Sequence, residues 1–222
     1  MENPKQLSSE PPLRIDIVSD VVCPWCAIGY AQLAEALKQT HTEYEIHWHP
    51  FELNPDTPSE GLNLREHIAK KYGSSREESD ASRARMTEAG REVGFDFNFT
   101  EETRTYHTFA MHQLLHWADQ QGRMHDLKQA LFIAYFTHAR DMADQEVLAD
   151  IVAEMGLDRD EALAVIADER FAKDVRRAQQ YWRQQGIQSV PAVIFDQKYL
   201  VNGAQGVENF KSILQQLADI PQ

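Results

Sequence analysis

Apolar and polar positions alternate near the start of the chain, as they do in strands that bury one face. The alternation from Leu13 to Ile17 predicts a strand that ends near Ser19. Apolar residues then recur at helical spacing from Pro24 to Leu37, which predicts a helix. The segment Tyr44–Trp48 alternates again and predicts a second strand. The chain therefore opens as strand, short loop, helix, strand.

The middle of the chain, from about Leu62 to Gln185, has the periodicity of helices. Ser75 and Glu78 have the spacing of a capping box, which marks a helix start. Asp158 with Glu161 indicates another helix start in the same way. These signals predict a largely helical block between the two ends of the chain.

The last part of the chain again has the sequence patterns of β-strands. The apolar run Ala192–Phe195 and the segment Tyr199–Val201 predict a hairpin, and Phe210 to Leu217 predict a final amphipathic helix. The order of elements predicts an α/β, thioredoxin-like fold with a large helical insertion. This order is strand–helix–strand, then a helical block, then strand–strand–helix. We place the first half of the thioredoxin-like domain at 1–60, the helical insertion at 61–185 and the second half at 186–222.

Composition and charge narrow the classes of function. The 222 residues carry 35 acidic and 22 basic side chains, a formal net charge of −13, which disfavours nucleic acid and anionic membranes as partners. No apolar run approaches the ~20 residues of a membrane helix. Met1–Pro12 lacks the apolar core of a signal peptide, so we expect a cytoplasmic protein. The sequence leaves the oligomeric state open.

The two cysteines carry the strongest chemical signal. They stand in Cys23-Pro24-Trp25-Cys26, where the predicted helix begins. A helix start favours negative charge and so favours a reactive thiolate at Cys23, whereas Cys26 lies inside the first turn, where it can resolve a mixed disulfide. This position predicts that Cys23 is the more acidic and more accessible thiol. Trp25, between the two sulfurs, is expected to be exposed to partners.

Two other interpretations of the cysteines are a metal half-site and a pair of inert core thiols. Zinc sites of this kind need a second pair of ligands, and the chain has no third cysteine. His47 and His49 could supply nitrogen ligands, but they flank Trp48 and resemble the outward face of a strand. His112 and His116 lack the glutamate of a zincin motif between them and are interpreted as packing or polar contacts near the seam with the insertion. We therefore predict no metal.

A second signal is Val190-Pro191, immediately before the apolar strand at Ala192. Cis peptide bonds make up only ~5–6% of X–Pro bonds, so the dipeptide alone predicts little. In the thioredoxin order, however, this strand begins beside the CxxC turn. We therefore predict a cis bond at Pro191, with backbone groups that face the sulfurs.

The chain resembles the DsbA-like superfamily and, within it, the FrnE-type group of cytoplasmic dithiol proteins. The resemblance covers about Leu13 to Leu217. The segments that carry it are Ser19–Cys26, Val190-Pro191, Tyr199–Gln205, His112–Ala118 and Ala130–Phe136.

This resemblance implies a thioredoxin fold with a helical insertion, Cys23 as nucleophile, Cys26 as resolving thiol and Pro191 in cis. Pro24, Trp25 and Val190 are expected to contact the substrate. The partners implied are disulfide-containing proteins or small thiols, with glutathione a further candidate, and no cofactor. Pro24-Trp25 differs from the Pro-His of periplasmic oxidants, so their strong oxidising power is not implied. A cytoplasmic dithiol of this kind is expected to act as a reductase or isomerase.

Two other functions stay open at the level of sequence. Kappa-class glutathione transferases and hydroxychromene-carboxylate isomerases have a similar fold, but they use a serine near the position of Cys23. Cysteine at both positions favours dithiol exchange over that glutathione-dependent chemistry. The third function is a chaperone-like protein whose helical insertion holds unfolded clients.

Overall fold

The computed structural model describes residues 11–220. The segment Met1–Pro12, for which the sequence predicts no signal peptide, lies mostly outside the described residues. The strands are β1 (Leu13–Ser19), β2 (Tyr44–Pro50), β3 (Leu62–Asn63), β4 (Arg104–Thr105), β5 (Ala192–Phe195) and β6 (Tyr199–Asn202). The helices are α1 (Pro24–Thr40), α2 (Leu64–Tyr72), α3 (Arg76–Arg91), α4 (Phe109–Asp119), α5 (Met124–Phe132), α6 (Gln145–Glu154), α7 (Arg159–Asp168), α8 (Ala172–Gln184) and α9 (Val207–Ala218).

A four-stranded sheet in the order β2-β1-β5-β6 forms the centre of the molecule. β1 and β2 are parallel, with Leu13 opposite Tyr44. β5 is antiparallel to both β1 and β6. This mixed sheet, reached by strand–helix–strand and then strand–strand–helix, is thioredoxin-like, as the sequence predicts.

The two faces of β1 are both covered. Ile15 and Ile17 belong to the large apolar core, whereas Val18 belongs to a smaller cluster on the other face. Asp16 also points to that second face and is fully buried, with Arg14 and His49 bonded to its carboxylate. The alternation of β1 therefore comes from two buried faces, one of which holds an ion pair.

Helices α2 to α8 lie between β2 and β5 in the sequence. Their starts follow the predicted caps: Ser75 and Glu78 form a complete capping box, and the Asp158 side chain accepts a hydrogen bond from the Glu161 amide. The block also contains the two-residue strands β3 and β4, and α5 continues into a π-helical turn at Ile133–Thr137.

The apolar core is continuous from the sheet into the helical block. Side chains of β1 and α1 share it with side chains of α4 to α7. The boundaries at residues 60 and 185 stay a prediction. Among the described residues, none of the helices combines the length and apolar character that crossing a bilayer requires.

Candidate active site

The topology of the sheet brings two distant loops together. Val18, near the end of β1, pairs with Ala192, the first residue of β5. Because these strands are antiparallel, the loop that leaves β1 and the segment that enters β5 lie at the same edge of the sheet. The first of these carries Asp20 to Cys23, and the second carries Val190 and Pro191.

Cys23 is the N-cap of α1, with Pro24 in the first turn. The Cys23 carbonyl accepts the amide of Cys26 at 3.0 Å, and the Cys23 amide donates to the Asp20 carbonyl at 3.3 Å. No acidic side chain lies in the first turn of α1. The free amides and the dipole of the helix are therefore directed toward the two sulfurs.

The Val190–Pro191 bond is cis, which confirms that prediction. The Cys23 thiol donates to the Val190 carbonyl across an Sγ–O distance of 3.7 Å. The Pro191 carbonyl accepts the amide of Gly203 at 2.8 Å. A Cβ placed on Gly29 would lie 3.2 Å from Pro191 Cγ, so this glycine lets the proline ring pack against α1.

The side chains around the pair differ in exposure. Trp25 is 39% exposed, as the sequence predicts, whereas Cys23 and Cys26 are 4% and 1% exposed. Both cysteines are free thiols. Cys23 is only slightly more accessible than Cys26, because Val190 covers its sulfur.

The two thiols are coupled, so the pKa at which the first proton is lost is a property of the pair and not of one cysteine. The pKa of Cys23 is raised well above that of a free thiol by its hydrogen bond with Cys26 and by burial. Burial also opposes ionisation of Cys26, but the hydrogen bonds from Cys23 and Ser19 and the positive charge of Lys128 outweigh it and lower the Cys26 pKa. Because the two thiols share one proton, these shifts describe the first ionisation of the pair, and which thiol is the more acidic stays a prediction.

Sequence reasoning missed two buried charged residues whose charges act on the thiols. Asp20 is fully buried, and its Oδ2 accepts the amide of Leu53 at 2.8 Å, while Oδ1 has no hydrogen bond. Lys128 of α5 is 1% exposed. It interrupts the apolar face that includes Leu127 and Leu131, and this interruption was the available signal.

The histidines considered as metal-ligand candidates make polar and packing contacts within the fold. His112 Nε2 lies 2.9 Å from the Phe51 carbonyl oxygen, and the His116 ring packs on Phe171, which confirms their interpretation as polar and packing contacts. His49 is not on an outward face, because its ring packs 4.6 Å from that of Trp182 on α8. His47 is half-buried. Within residues 11–220, no three His, Cys, Asp or Glu side chains are arranged to hold a metal ion.

A cavity of about 150 Å³ lies between β2 and the helices α4, α5 and α8. Lys128 and His112 line its inner part, and Asp119 stands at its exposed side. The volume suffices for several water molecules, since one water occupies roughly 10–15 Å³ by this measure.

Residues 14–215 match the family model described as the DSBA-like thioredoxin domain. A solved structure described as a probable DsbA oxidoreductase from Streptomyces coelicolor is 30% identical, with a TM-score of 0.89, over 95% of this chain and 92% of that one.

Two further relatives share most of the chain. The uncharacterized protein YwbO of Bacillus subtilis is 25% identical over 203 residues, which are 91% of this chain and 96% of YwbO. The cytosolic disulfide reductase DsbM from Pseudomonas aeruginosa, solved with GSH, has a TM-score of 0.64 and 14% identity over 94% of this chain and all of its own. At that identity, the similarity to DsbM shows a common fold.

Proposed function

Because the chain belongs to the DSBA-like thioredoxin domain family, we propose that it is a thiol–disulfide oxidoreductase acting through Cys23 and Cys26. The observation that carries the proposal is the position of Cys23 at the N-terminus of α1, with its sulfur against the Val190 carbonyl. An extended substrate strand can bond to that backbone edge once Cys23 is engaged. Pro191 and the exposed Trp25 are proposed to contact the substrate, with Pro24 fixing the turn between the sulfurs.

The reaction begins within the pair. Cys23 passes its proton to the Cys26 thiolate, and the Cys23 thiolate attacks one sulfur of a substrate disulfide. The substrate S–S bond breaks, the other substrate sulfur leaves as a thiolate, and a mixed disulfide forms at Cys23. Cys26 then loses its proton and attacks the Cys23 sulfur, which releases the second substrate thiol. The substrate gains two electrons and the pair becomes a disulfide, which a thiol such as glutathione reduces again.

Serine replacements separate the roles of the two sulfurs. The reduced protein is mixed with insulin or oxidised glutathione, quenched in acid, and analysed by mass. We expect Cys26→Ser to accumulate a mixed disulfide that the wild type resolves, and Cys23→Ser to form none. Because the chain has two cysteines, an adduct on Cys26→Ser identifies Cys23 without ambiguity. An adduct that forms only on Cys26 would refute the assignment.

A glutathione-dependent transferase or isomerase is the second candidate, favoured by the GSH bound to DsbM, whose fold this chain shares. In that case, Cys23 would activate glutathione without cycling with Cys26. The activity would therefore survive in Cys26→Ser. Dithiol exchange predicts that turnover with insulin stops in that variant.

The direction we propose is reduction or isomerisation of substrate disulfides in the cytoplasm, the compartment named for DsbM. Cytosolic glutathione is poised at about −220 to −320 mV, depending on the method, so an oxidising pair would rest there as the dithiol. Titration of the pair in glutathione buffers measures its potential. A potential well below that range would show a pair held as a disulfide and would refute the proposed direction.

A further inference from the structure

Lys128 is a buried cation that lines the cavity between β2 and the helices α4, α5 and α8. Its Nζ lies 4.9 Å from the ring centre of Phe132 and 5.5 Å from that of Trp48. Within residues 11–220, the ammonium has neither an ion pair nor a hydrogen bond. A buried charge normally has a partner of opposite sign, because its removal from water is costly. Contact with aromatic faces offsets only part of that cost.

The buried carboxylate of Asp20 is not an ion-pair partner of Lys128. Its Oδ2 accepts the Leu53 amide at 2.8 Å, and His112 Nε2 lies 3.5 Å from its Oδ1. Burial lowers the pKa of Lys128 to about 8, although the sulfurs and Asp20 oppose this. The ammonium is therefore mostly protonated at neutral pH, and the inner end of the cavity carries a positive charge.

Four imidazole rings line the same cavity, those of His47, His49, His112 and His116. Two of them are already engaged, because Nε2 of His49 bonds to Asp16 and Nε2 of His112 bonds to the Phe51 carbonyl. His47 Nε2 is buried without a hydrogen bond, with a carboxylate oxygen of Glu45 3.4 Å away. The rings of His47 and His116 can therefore donate N–H groups to a ligand in the cavity.

The rest of the cavity wall is mostly apolar. Leu115 and Val175 are buried, and Met124 and Ala178 are half-buried. Among the lining residues, Asp119 alone is acidic, and it is exposed at the outer side, where water and salt screen its charge. The volume of about 150 Å³ has room for a small ion together with water. The buried part of the cavity thus combines space, a positive charge and N–H donors, and no carboxylate lines it.

We propose that this cavity is a binding site for a small monovalent anion, such as a halide or nitrate, which pairs with the Lys128 ammonium. A single negative charge neutralises the one buried cation, whereas a divalent anion would leave an excess charge in a closed space. A metal cation is a poor fit, because Lys128 lies at the inner end and no three ligand side chains within residues 11–220 are arranged to hold it. The inference does not depend on the dithiol chemistry.

The test is urea unfolding of the full chain at pH 7, with bromide replacing the bulky anion gluconate at constant ionic strength. Lys128→Met removes the cation at similar length, and Ala178→Leu fills part of the cavity and keeps the lysine. Lys173→Met is the matched control, because it removes one lysine charge at an exposed position of α8 outside the cavity.

We expect an increase in bromide from about 10 to about 200 mM to lower the unfolding equilibrium constant of the wild type about tenfold, for a dissociation constant of about 10 mM. Lys173→Met should respond in the same way. Lys128→Met should lose the response, and Ala178→Leu should reduce it several-fold, because less space is left for the ion.

The fluorescence of Trp48 gives a second measurement. Trp48 lines the cavity and is 5% exposed, so iodide in bulk solution reaches it poorly, whereas iodide inside the cavity contacts its ring. A Trp25→Phe background removes the exposed indole, which is 39% exposed. In that background, iodide should quench part of the emission in a saturable manner, and Lys128→Met should abolish the saturable part.

Equal responses of the wild type and Lys128→Met to bromide and to iodide would refute the site and show a cavity that holds water only. A response that Lys173→Met also loses would assign the effect to surface charge and would refute the site as well. If Lys128→Met does not fold, a full wild-type response in Ala178→Leu refutes the proposal on its own. Because disulfide exchange is not a readout, failure of the proposed function would leave these outcomes unchanged.

Discussion

Lys128→Met should stabilise the folded protein near neutral pH. Burial lowers the pKa of Lys128 from its ordinary 10.5 to about 8, although the sulfurs and Asp20 partly oppose this. The difference of about 2.5 units corresponds to roughly 3 kcal/mol, because each unit is worth ~1.4 kcal/mol. That free energy opposes folding wherever the lysine is protonated in both states. Methionine removes this cost and keeps contact with Phe132 and Trp48.

The stability difference between the wild type and Lys128→Met should depend on pH in a defined direction. Between about pH 8 and 10.5, the folded state has released the Lys128 proton while the unfolded state still holds it. Stability of the lysine protein therefore rises with pH through that window. The advantage of Lys128→Met should be full below about pH 8 and should fade as the pH approaches 10.5.

Urea unfolding at neutral and at alkaline pH measures this difference. The comparison is made in a Cys23→Ser/Cys26→Ser background, where no thiol titrates; without the sulfurs that raise the Lys128 pKa, the window in which stability rises begins below pH 8. Lys173→Met is the control and should change stability by less than ~0.5 kcal/mol. A Lys128→Met protein that is less stable than its parent at neutral pH, or whose gain does not depend on pH, would refute the argument that the lysine is buried at a cost.

Two further predictions concern the elements that support the site. Asp16→Asn should cost about 3 kcal/mol near neutral pH, because Arg14 and His49 outweigh burial and hold the Asp16 pKa far below its usual range. The wild-type advantage should be full above about pH 4 and should shrink on acidification, which urea unfolding at several pH values measures. Gly29→Val should cost about 2 kcal/mol and slow disulfide exchange, because its Cβ would press on Pro191; unchanged exchange would contradict the second part.

Regular periodicity made the sheet and most helices predictable. β1, β2, β5 and β6 all appear where alternation or a short apolar run places them. The cis bond at Pro191 followed from strand order, since an antiparallel β5 must enter beside the end of β1. Two-residue strands such as β3 and β4 cannot show a period, and they were not predicted.

The electrostatics of the site could not be predicted from local sequence. No basic residue lies between Val21 and Lys38, so the helix start looked like the main influence on the Cys23 thiolate. Lys128, more than a hundred positions away in sequence, is a positive charge that lowers the pKa of Cys26. Burial of Cys23 behind Val190 also depends on tertiary contacts. The relative acidity of the two thiols therefore depends on contacts that the local sequence does not show.

Under the proposed dithiol chemistry, the helical block supplies charge to the site as well as side chains to the core. α4 supplies His112, whose Nε2 lies 3.5 Å from Asp20 Oδ1 in the loop before Cys23, and α5 supplies the buried Lys128. A positive charge that stabilises the Cys26 thiolate lowers the free energy of the reduced pair and leaves the disulfide form unchanged. One pKa unit of such stabilisation is worth ~1.4 kcal/mol, which raises the reduction potential by ~30 mV for a two-electron couple. Under the proposed function, we therefore expect Lys128 to favour the dithiol as the resting form in a glutathione pool, and redox titration of Lys128→Met in glutathione buffers should give a lower potential than that of the wild type.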